Sequence, residues 1–555
     1  MRSRVQAGGT SVQAIAGNHA VFFGFDLTEQ ARQGCLGFAL HREDRTENES
    51  YWLSGFKTFR SVIPQPAPTA IYPSDKHPVQ SMWWGDYTAK PAHDYVYTVV
   101  PMYGAPKNLS PSDADSATVE LTTGDPAHGV HGIYFNRGVA ASQAYAARFG
   151  GPPDSLPPDK RTEAMTWLSR GLHEALCAFI TQDASSRLVI RAAVYEFTEP
   201  TVLAAFAAAR AAGADVQIVF HDKGPQGTAN QAAIAQANLD PAMLIGRTRA
   251  PIAHNKFIIR ADRSADGSIA AKELWTGSTN LSEGGIFGHS NVGHAVRDAT
   301  IAGSYLDYWT ELSADPASQP LKRWVSAHSP FAPQDLAGAG IHALFSPRTA
   351  LDPLDWYAQV FTAAAAGSTH LTLPFGMDDK HFEPLVTAVP PSDPTLRFVM
   401  LDLPDDHQAA WSANHAVQVA VGAAGGPDSL TRWAKETLTG FNPNVPYLHT
   451  KILLRSPLAA APTVISGSAN FSEASTTSND ENMLVVVGDT EVADVYFTEY
   501  ARIFQHFYAR WWAAHLDPHG ADTHSFLAED ASWQDPYWDP RSPKNAGRLL
   551  YSSQV

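Results

Sequence analysis

The alternation of apolar and polar positions divides the chain before any residue is read for chemistry. From about residue 18 to 125, short β-rich runs (20–25, 36–40, 95–100 and 117–121) are separated by Pro, Gly and Asp turns, which predicts an all-β unit. A connector follows, punctuated by Gly150-Gly151-Pro152-Pro153 and Pro157-Pro158. The pattern then changes to helices and strands and repeats itself. The first unit predicts a helix over 165–179, a strand over 188–195, a helix over 203–212 closed by Gly213, and a strand over 216–220 ending at His221-Asp222. The second predicts a helix over 356–366 closed by Gly367, a strand over 370–373, a short helix over 382–389, and a strand over 396–401 ending at Asp402. Closing strands are expected at 292–296 and 483–487, each followed by an aromatic-bearing helix.

This is the pattern of an α/β fold made by tandem duplication. The expected domains are 1–125 all-β, 126–160 connector, 161–335 first repeat, 336–515 second repeat, and 516–555 a polar tail on the surface. Two such repeats packed about a pseudo-twofold axis bring matching positions face to face, as two subunits of a homodimer do. With both half-sites in one chain, no obligate oligomer is required.

What repeats is chemical as well as structural. His254-Asn255-Lys256 is followed by Gly277-Ser278-Thr279-Asn280, and His449-Thr450-Lys451 by Gly467-Ser468-Ala469-Asn470. A single His-x-Lys carries no information, but two copies with the same tetrapeptide downstream do. In a strand, each lysine shares a face with its histidine. The set of two imidazoles, two ammonium groups, two amides and two hydroxyls suits a phosphodiester. One imidazole attacks phosphorus, the other protonates the leaving oxygen, and the cations and amides hold the phosphoryl oxygens. His254, Lys256, Asn280, His449, Lys451 and Asn470 are the expected catalytic residues, with Ser278 and Ser468 as substrate contacts.

Composition narrows the partners. A net charge of -16 in 555 residues, with no basic run, disfavours a long polyanion and favours a small or lipid phosphodiester, the expected partner being a phospholipid met by peripheral membrane contact. A nucleic-acid phosphodiester stays the alternative, because a cationic cleft can sit on an acidic body. The two cysteines cannot build a disulfide framework or a four-cysteine zinc site. Cys177, in an apolar helical run, reads as a buried free thiol. With two lysines as cations and no cluster at metal-ligand spacing, neither metal nor cofactor is expected. There is no signal-peptide pattern and no membrane-spanning run, so the expected location is cytoplasmic, with signal-independent export as the alternative.

The duplicated motifs resemble those of the phospholipase D superfamily over roughly residues 160–515. That resemblance implies two phospholipase D-like α/β/α repeats and a covalent phosphohistidine mechanism. It leaves the substrate open between phospholipids, with hydrolysis or transfer, and nucleic acids, as in nucleases and tyrosyl-DNA phosphodiesterases. Both copies depart from the family pattern: where it places an Asp after the Lys stand Ala261, with Asp262 next, and Ser456. Glu481 and Asn291 stand at matching places beyond Asn470 and Asn280, where family members carry a partner for a catalytic imidazole. If support crosses between halves, Glu481 serves His254, the nucleophile, and Asn291 serves His449, the proton donor; Asn291 is also a candidate substrate contact. The region around 84–104 separately resembles a fibronectin-type or immunoglobulin-like sandwich. His221, Asp222, His289 and His294 read as strand-end and loop residues near the cleft, Arg137 as an interdomain structural residue, and Trp83 and Trp84 as sandwich core or a lipid-facing pair. A non-catalytic binding protein on the same fold is disfavoured by the two intact His-Lys-Asn sets.

Overall fold

The computed structural model describes residues 1–67, 70–138, 142–422, 447–515 and 526–552. Two seven-stranded sheets form its centre. The first runs, in spatial order, His131–Phe135, Val292–Val296, Ile269–Gly277, Lys256–Arg263, Leu188–Val194, Asp215–His221 and Leu244–Arg247. The second runs Gly340–Ser346, Glu481–Val487, Thr463–Gly467, Ile452–Arg455, Ser368–Leu373, Leu396–Leu401 and Val417–Val421. Numbered along the chain within each unit, both follow the order 1-7-6-5-2-3-4. In both, the second, third and fourth strands are parallel and the other pairings antiparallel.

Leu188–Val194 and Ser368–Leu373 are buried along their whole length. Both faces of each sheet are covered, so these strands read as continuous apolar runs rather than alternating ones. On the inner side lie the closing helices, Ala299–Ser313 and Thr490–His515. Tyr305, Tyr308, Trp309, Tyr496, Phe497 and Tyr500 share one core with Phe257 of the first sheet and Phe398 of the second. Tyr305 shows the arrangement in one residue, its ring 5.1 Å from Phe257 and 4.9 Å from Phe345 of the other repeat. The outer faces have separate cores under their own helices.

Several elements differ from the expectation. The strands His131–Phe135 and Gly340–Ser346 form the edges of the two sheets, so the first lies inside the segment read as a connector. The helix expected over 165–179 is two, Pro158–Ser169 and Leu172–Thr181, because Arg170 and Gly171 take left-handed φ of 53° and 89°. Helix Gly224–Gln236 and strands Leu244–Arg247 and Val417–Val421 carry too weak a periodicity to have been predicted.

The N-terminal region holds a four-stranded sheet (Arg2–Ala7, Thr10–Ala16, Val21–Leu27, Trp83–Asp86) and a five-stranded one built on Gly37–Asp44 and Asp94–Ala105. Phe23, Phe25, Phe38 and Tyr97 lie in the core that the two share. The C-terminal segment, expected on the surface, is tied into this region instead. Phe526–Leu527 pairs with Thr58–Phe59, and Tyr551 of helix Pro543–Ser552 packs 4.8 Å from Phe22. Trp83 meets Tyr537 and Tyr551, so its ring faces the protein rather than a lipid. Among the described residues no helix is long and apolar enough to cross a membrane.

Candidate active site

The two repeats join where their motifs begin. Asp480 N–H donates to the Ile252 carbonyl and His254 N–H to the Asp480 carbonyl, each at 3.0 Å. At the matching place, Ser290 N–H donates to the Tyr447 carbonyl and His449 N–H to the Ser290 carbonyl, each at 3.1 Å. The chain entering each His-x-Lys is thus bridged in parallel to the chain entering the other repeat's closing strand. Glu481 opens one of those strands and Asn291 stands immediately before the other, which carries each to the opposite repeat's imidazole. Arg247, fully buried, locks one crossing through ion pairs to Asp480 at 2.8 Å and Asp315 at 2.6 Å.

His254 Nδ1 lies 2.9 and 3.0 Å from the two oxygens of Glu481, and the Ser468 hydroxyl donates to that carboxylate at 2.6 Å. His449 Nδ1 lies 3.0 Å from Asn291 Oδ1, to which Ser278 donates at 2.8 Å. Asn291 Nδ2 donates to the Gly285 carbonyl at 2.7 Å, so Oδ1 must be the atom facing His449. Each acceptor holds its imidazole with the proton on Nδ1, leaving the Nε2 lone pair for chemistry. This corrects the expectation that Ser278, Ser468 and Asn291 touch substrate. All three are 0 % exposed, and their polar atoms are committed to the partners behind the histidines.

Lys256 Nζ donates to the His254 carbonyl and Lys451 Nζ to the His449 carbonyl, both at 2.7 Å. Burial pushes the Lys256 ammonium down to about 8, opposed by Glu481 and Glu196. Lys451 is held well below its ordinary value by burial and by Lys256. Burial also lowers His254, to about 4, against the pull of Glu481. It lowers His449 too, aided by Lys451 and His289. The site therefore buries two lysines beside two imidazoles whose charged forms are disfavoured, and an anion among them would favour those forms. The buried Oδ1 atoms of Asn280 and Asn470 have no hydrogen-bond partner.

Three residues not singled out for the site from sequence stand in it. The His289 ring, read as a loop residue, is 4.5 Å from that of His449. The Tyr195 ring meets His254 edge-on at 5.0 Å and lies 5.4 Å from Lys256 Nζ. Glu196 acts electrostatically on both lysines and accepts from Ser282. Counting from the strand residues opposite each lysine, the counterpart of Glu196 is Phe375. Its ring is 61 % exposed and 6.4 Å from His449. A comparison of the two repeats at that place was the available signal.

Other candidates fall outside. Asp262 is half exposed and pairs with Lys272 at 3.1 Å. Ala261 is fully buried beside a bulge. His221 Nδ1 accepts from Ala253 N–H at 3.2 Å, and His294 bonds Tyr496 and His131. Asp222 sits beside Gly246. Arg137 donates to the Trp167 carbonyl and stacks on that ring at 4.5 Å, a structural role. Among the described residues, the one group spaced to hold a metal ion is Asp44, Glu47 and Glu49 on the N-terminal sheet, which no site residue joins.

A pair of imidazoles with crossed supports, two buried lysines and two amides defines a two-histidine centre assembled from duplicated halves. The family model described as cardiolipin synthase, PLD-like domain, matches residues 179–312. Residues 179–312 thus match a phospholipase D-like domain, and the superfamily resemblance is borne out over that segment, which holds the first copy of the motifs. No curated protein sequence matches the chain. Among solved structures it is similar to polyphosphate kinase from Porphyromonas gingivalis (12% identity, TM-score 0.38, 58% of this chain and 46% of that one). It is also similar to phosphatidylserine synthase from Haemophilus influenzae (12%, TM-score 0.40, 61% and 85%). A third is the phospholipase D family member Nuc from Salmonella typhimurium (25%, TM-score 0.21, 26% and 87%). The chain spans under half the length of the polyphosphate kinase.

Proposed function

We infer that the chain is a phosphodiesterase of phospholipase D type working through a phosphohistidine. His254 Nε2 forms a bond to phosphorus as the bond to the leaving alcohol breaks, and that alcohol takes its proton from His449 Nε2. His449 then removes a proton from water, or from an acceptor alcohol, whose oxygen displaces His254. Lys256, Lys451 and the amides of Asn280 and Asn470 hold the non-bridging oxygens, where charge builds. His449, held toward its neutral form by burial in the free site, takes a proton from solvent on Nε2 as the anionic phosphoryl group binds and offsets the two lysines.

The observation that carries the reading is the unlike support of the imidazoles, a carboxylate for His254 and an amide for His449. A carboxylate stabilises the positive phosphohistidine, whereas an amide leaves its histidine free to cycle one proton. The favoured substrate is a phospholipid headgroup, on the chain's charge of -16 and the exposed Phe375 at the cleft. Hydrolysis and transfer differ only in the second alcohol. Residues 1–125 are read as a sandwich-like accessory domain, on the strength of their two sheets.

The nucleic-acid reading is favoured by two features, the departure of Ala261 and Ser456 from the family Asp and the asymmetry of Asn291 against Glu481. Metal-free assay of phosphatidylcholine, phosphatidylethanolamine, single- and double-stranded DNA and an aryl phosphodiester separates the two. Lipid turnover supports the first reading; DNA cleavage with steeply salt-dependent binding replaces it with the second. No turnover of any of them, and no phosphohistidine, removes both.

A further inference from the structure

Apart from the phosphodiester centre, an aromatic cavity of about 50 Å³ lies where three parts of the fold meet. The second sheet contributes His370 and Phe398, and helix Thr490–His515 contributes Tyr500 and Phe504. Phe22 and Tyr551 come from the N-terminal region and the C-terminal helix packed on it. His370 pairs with Leu454, three residues along from Lys451, which sets it roughly 10 Å down the strand from the catalytic residues. Its ring stacks on Phe398 at 4.7 Å and meets Tyr500 edge-on at 4.8 Å. Its Nε2 lies 3.0 Å from the Ser368 hydroxyl. Its Nδ1 has no hydrogen-bond partner among the described residues, although the residue is only 2 % exposed. Buried polar atoms are ordinarily paired, and an unpaired one in the wall of an apolar cavity is a handle for a ligand.

We propose that this cavity binds a small uncharged alcohol with an aromatic body, held by a hydrogen bond to His370 Nδ1. The walls set the body, since aromatic rings pack edge-to-face or offset against one another. The imidazole sets the head. Neutral His370 presents at Nδ1 either a lone pair or an N–H, according to the direction of its bond with Ser368, and a hydroxyl answers both. Ions are excluded: among the described residues no charged side chain lines the cavity, so an ion would lose its hydration with nothing in exchange. Burial, which holds His370 at about 3, keeps the imidazole uncharged as well. Water is a poor filling. Each molecule needs about two to four polar partners, whereas the Tyr500 hydroxyl is committed to the Leu371 and Phe398 carbonyls and Gln505 Oε1 to Tyr87. The space is that of about four waters, which suits a molecule near the size of phenol.

Phenol and toluene match in size and differ in the hydroxyl alone, so the pair isolates the bond to His370. Calorimetric titration of the full chain gives saturable binding of phenol. His370→Phe keeps a stacked ring and removes the nitrogen, and the ratio of phenol to toluene affinity falls about fivefold in it. Ala501 also lines the cavity, and Ala501→Phe, which fills it, weakens both probes. Three results overturn the proposal: no saturable phenol binding by the parent, an unchanged ratio in a folded His370→Phe, or unchanged binding by a folded Ala501→Phe. Where the variants do not fold, a phenol-soaked crystal of the parent decides. A ring against His370 upholds the site, and water alone in the cavity overturns it.

Discussion

Glu481→Gln is the most exacting test of the assigned roles. The substitution keeps the shape of the side chain and a hydrogen-bond acceptor for His254 Nδ1, and removes only the charge. Glu481 is 1 % exposed and 2.9 Å from the imidazole, so solvent screens the pair weakly. At an effective dielectric of about 20, unit charges about 4 Å apart interact by about 4 kcal/mol, which bounds the effect from above. From below, hydrogen bonds to a charged partner are worth about 1 kcal/mol more than neutral ones. The positive phosphohistidine should therefore lose about 1–4 kcal/mol, a rate loss of about fivefold to several-hundredfold. The acid limb of the pH profile should move to lower pH, because Glu481 raises the proton affinity of His254. Stopped-flow release of nitrophenolate from an aryl phosphodiester measures the first step alone. A folded Glu481→Gln within twofold of the parent, combined with phosphoenzyme found on His449, would reverse the roles.

His254→Asn should form no covalent species. His449→Asn should form the His254 adduct from a nitrophenyl ester, whose leaving group needs no proton, and then stall; alkaline quench and peptide mass spectrometry read the difference. Activity should survive EDTA because lysines supply the cations, and loss on chelation that a divalent ion restores would contradict this. Burial holds His370 at about 3, so between pH 6.5 and 3 the unfolded chain takes up a proton there that the folded chain refuses, and stability falls with pH. His370→Phe should decline less steeply over that window in urea melts, and parallel curves would contradict the cause given.

The duplication was legible because chemistry fixed its residues. Imidazole, ammonium and amide recur at matching places in both repeats, while the helices around them differ in length and composition. Helix Gly224–Gln236 was missed because Gly227, Asn230 and Ile234, its buried residues, give no apolar stripe. Leu244–Arg247 and Val417–Val421 are short edge strands. Ser278 and Ser468 were rightly noticed but given the wrong partner, since sequence places a hydroxyl near a site without saying which way it faces. Glu196 escaped because the search was for what the repeats share, and its counterpart is Phe375. Cys177, a free thiol as expected, was expected buried because its neighbours are apolar, whereas it is partly exposed.

The crossing of each support into the other half has an evolutionary corollary. In a dimer of identical subunits every substitution is made twice, so both imidazoles must carry the same partner and a bound diester has no preferred direction. Fusion of two copies lifts that constraint. Glu481 against Asn291 and Glu196 against Phe375 are places where the two halves of this chain differ. The result is a centre with a head and a tail, an inequality of its two ends that a pair of identical subunits could not carry.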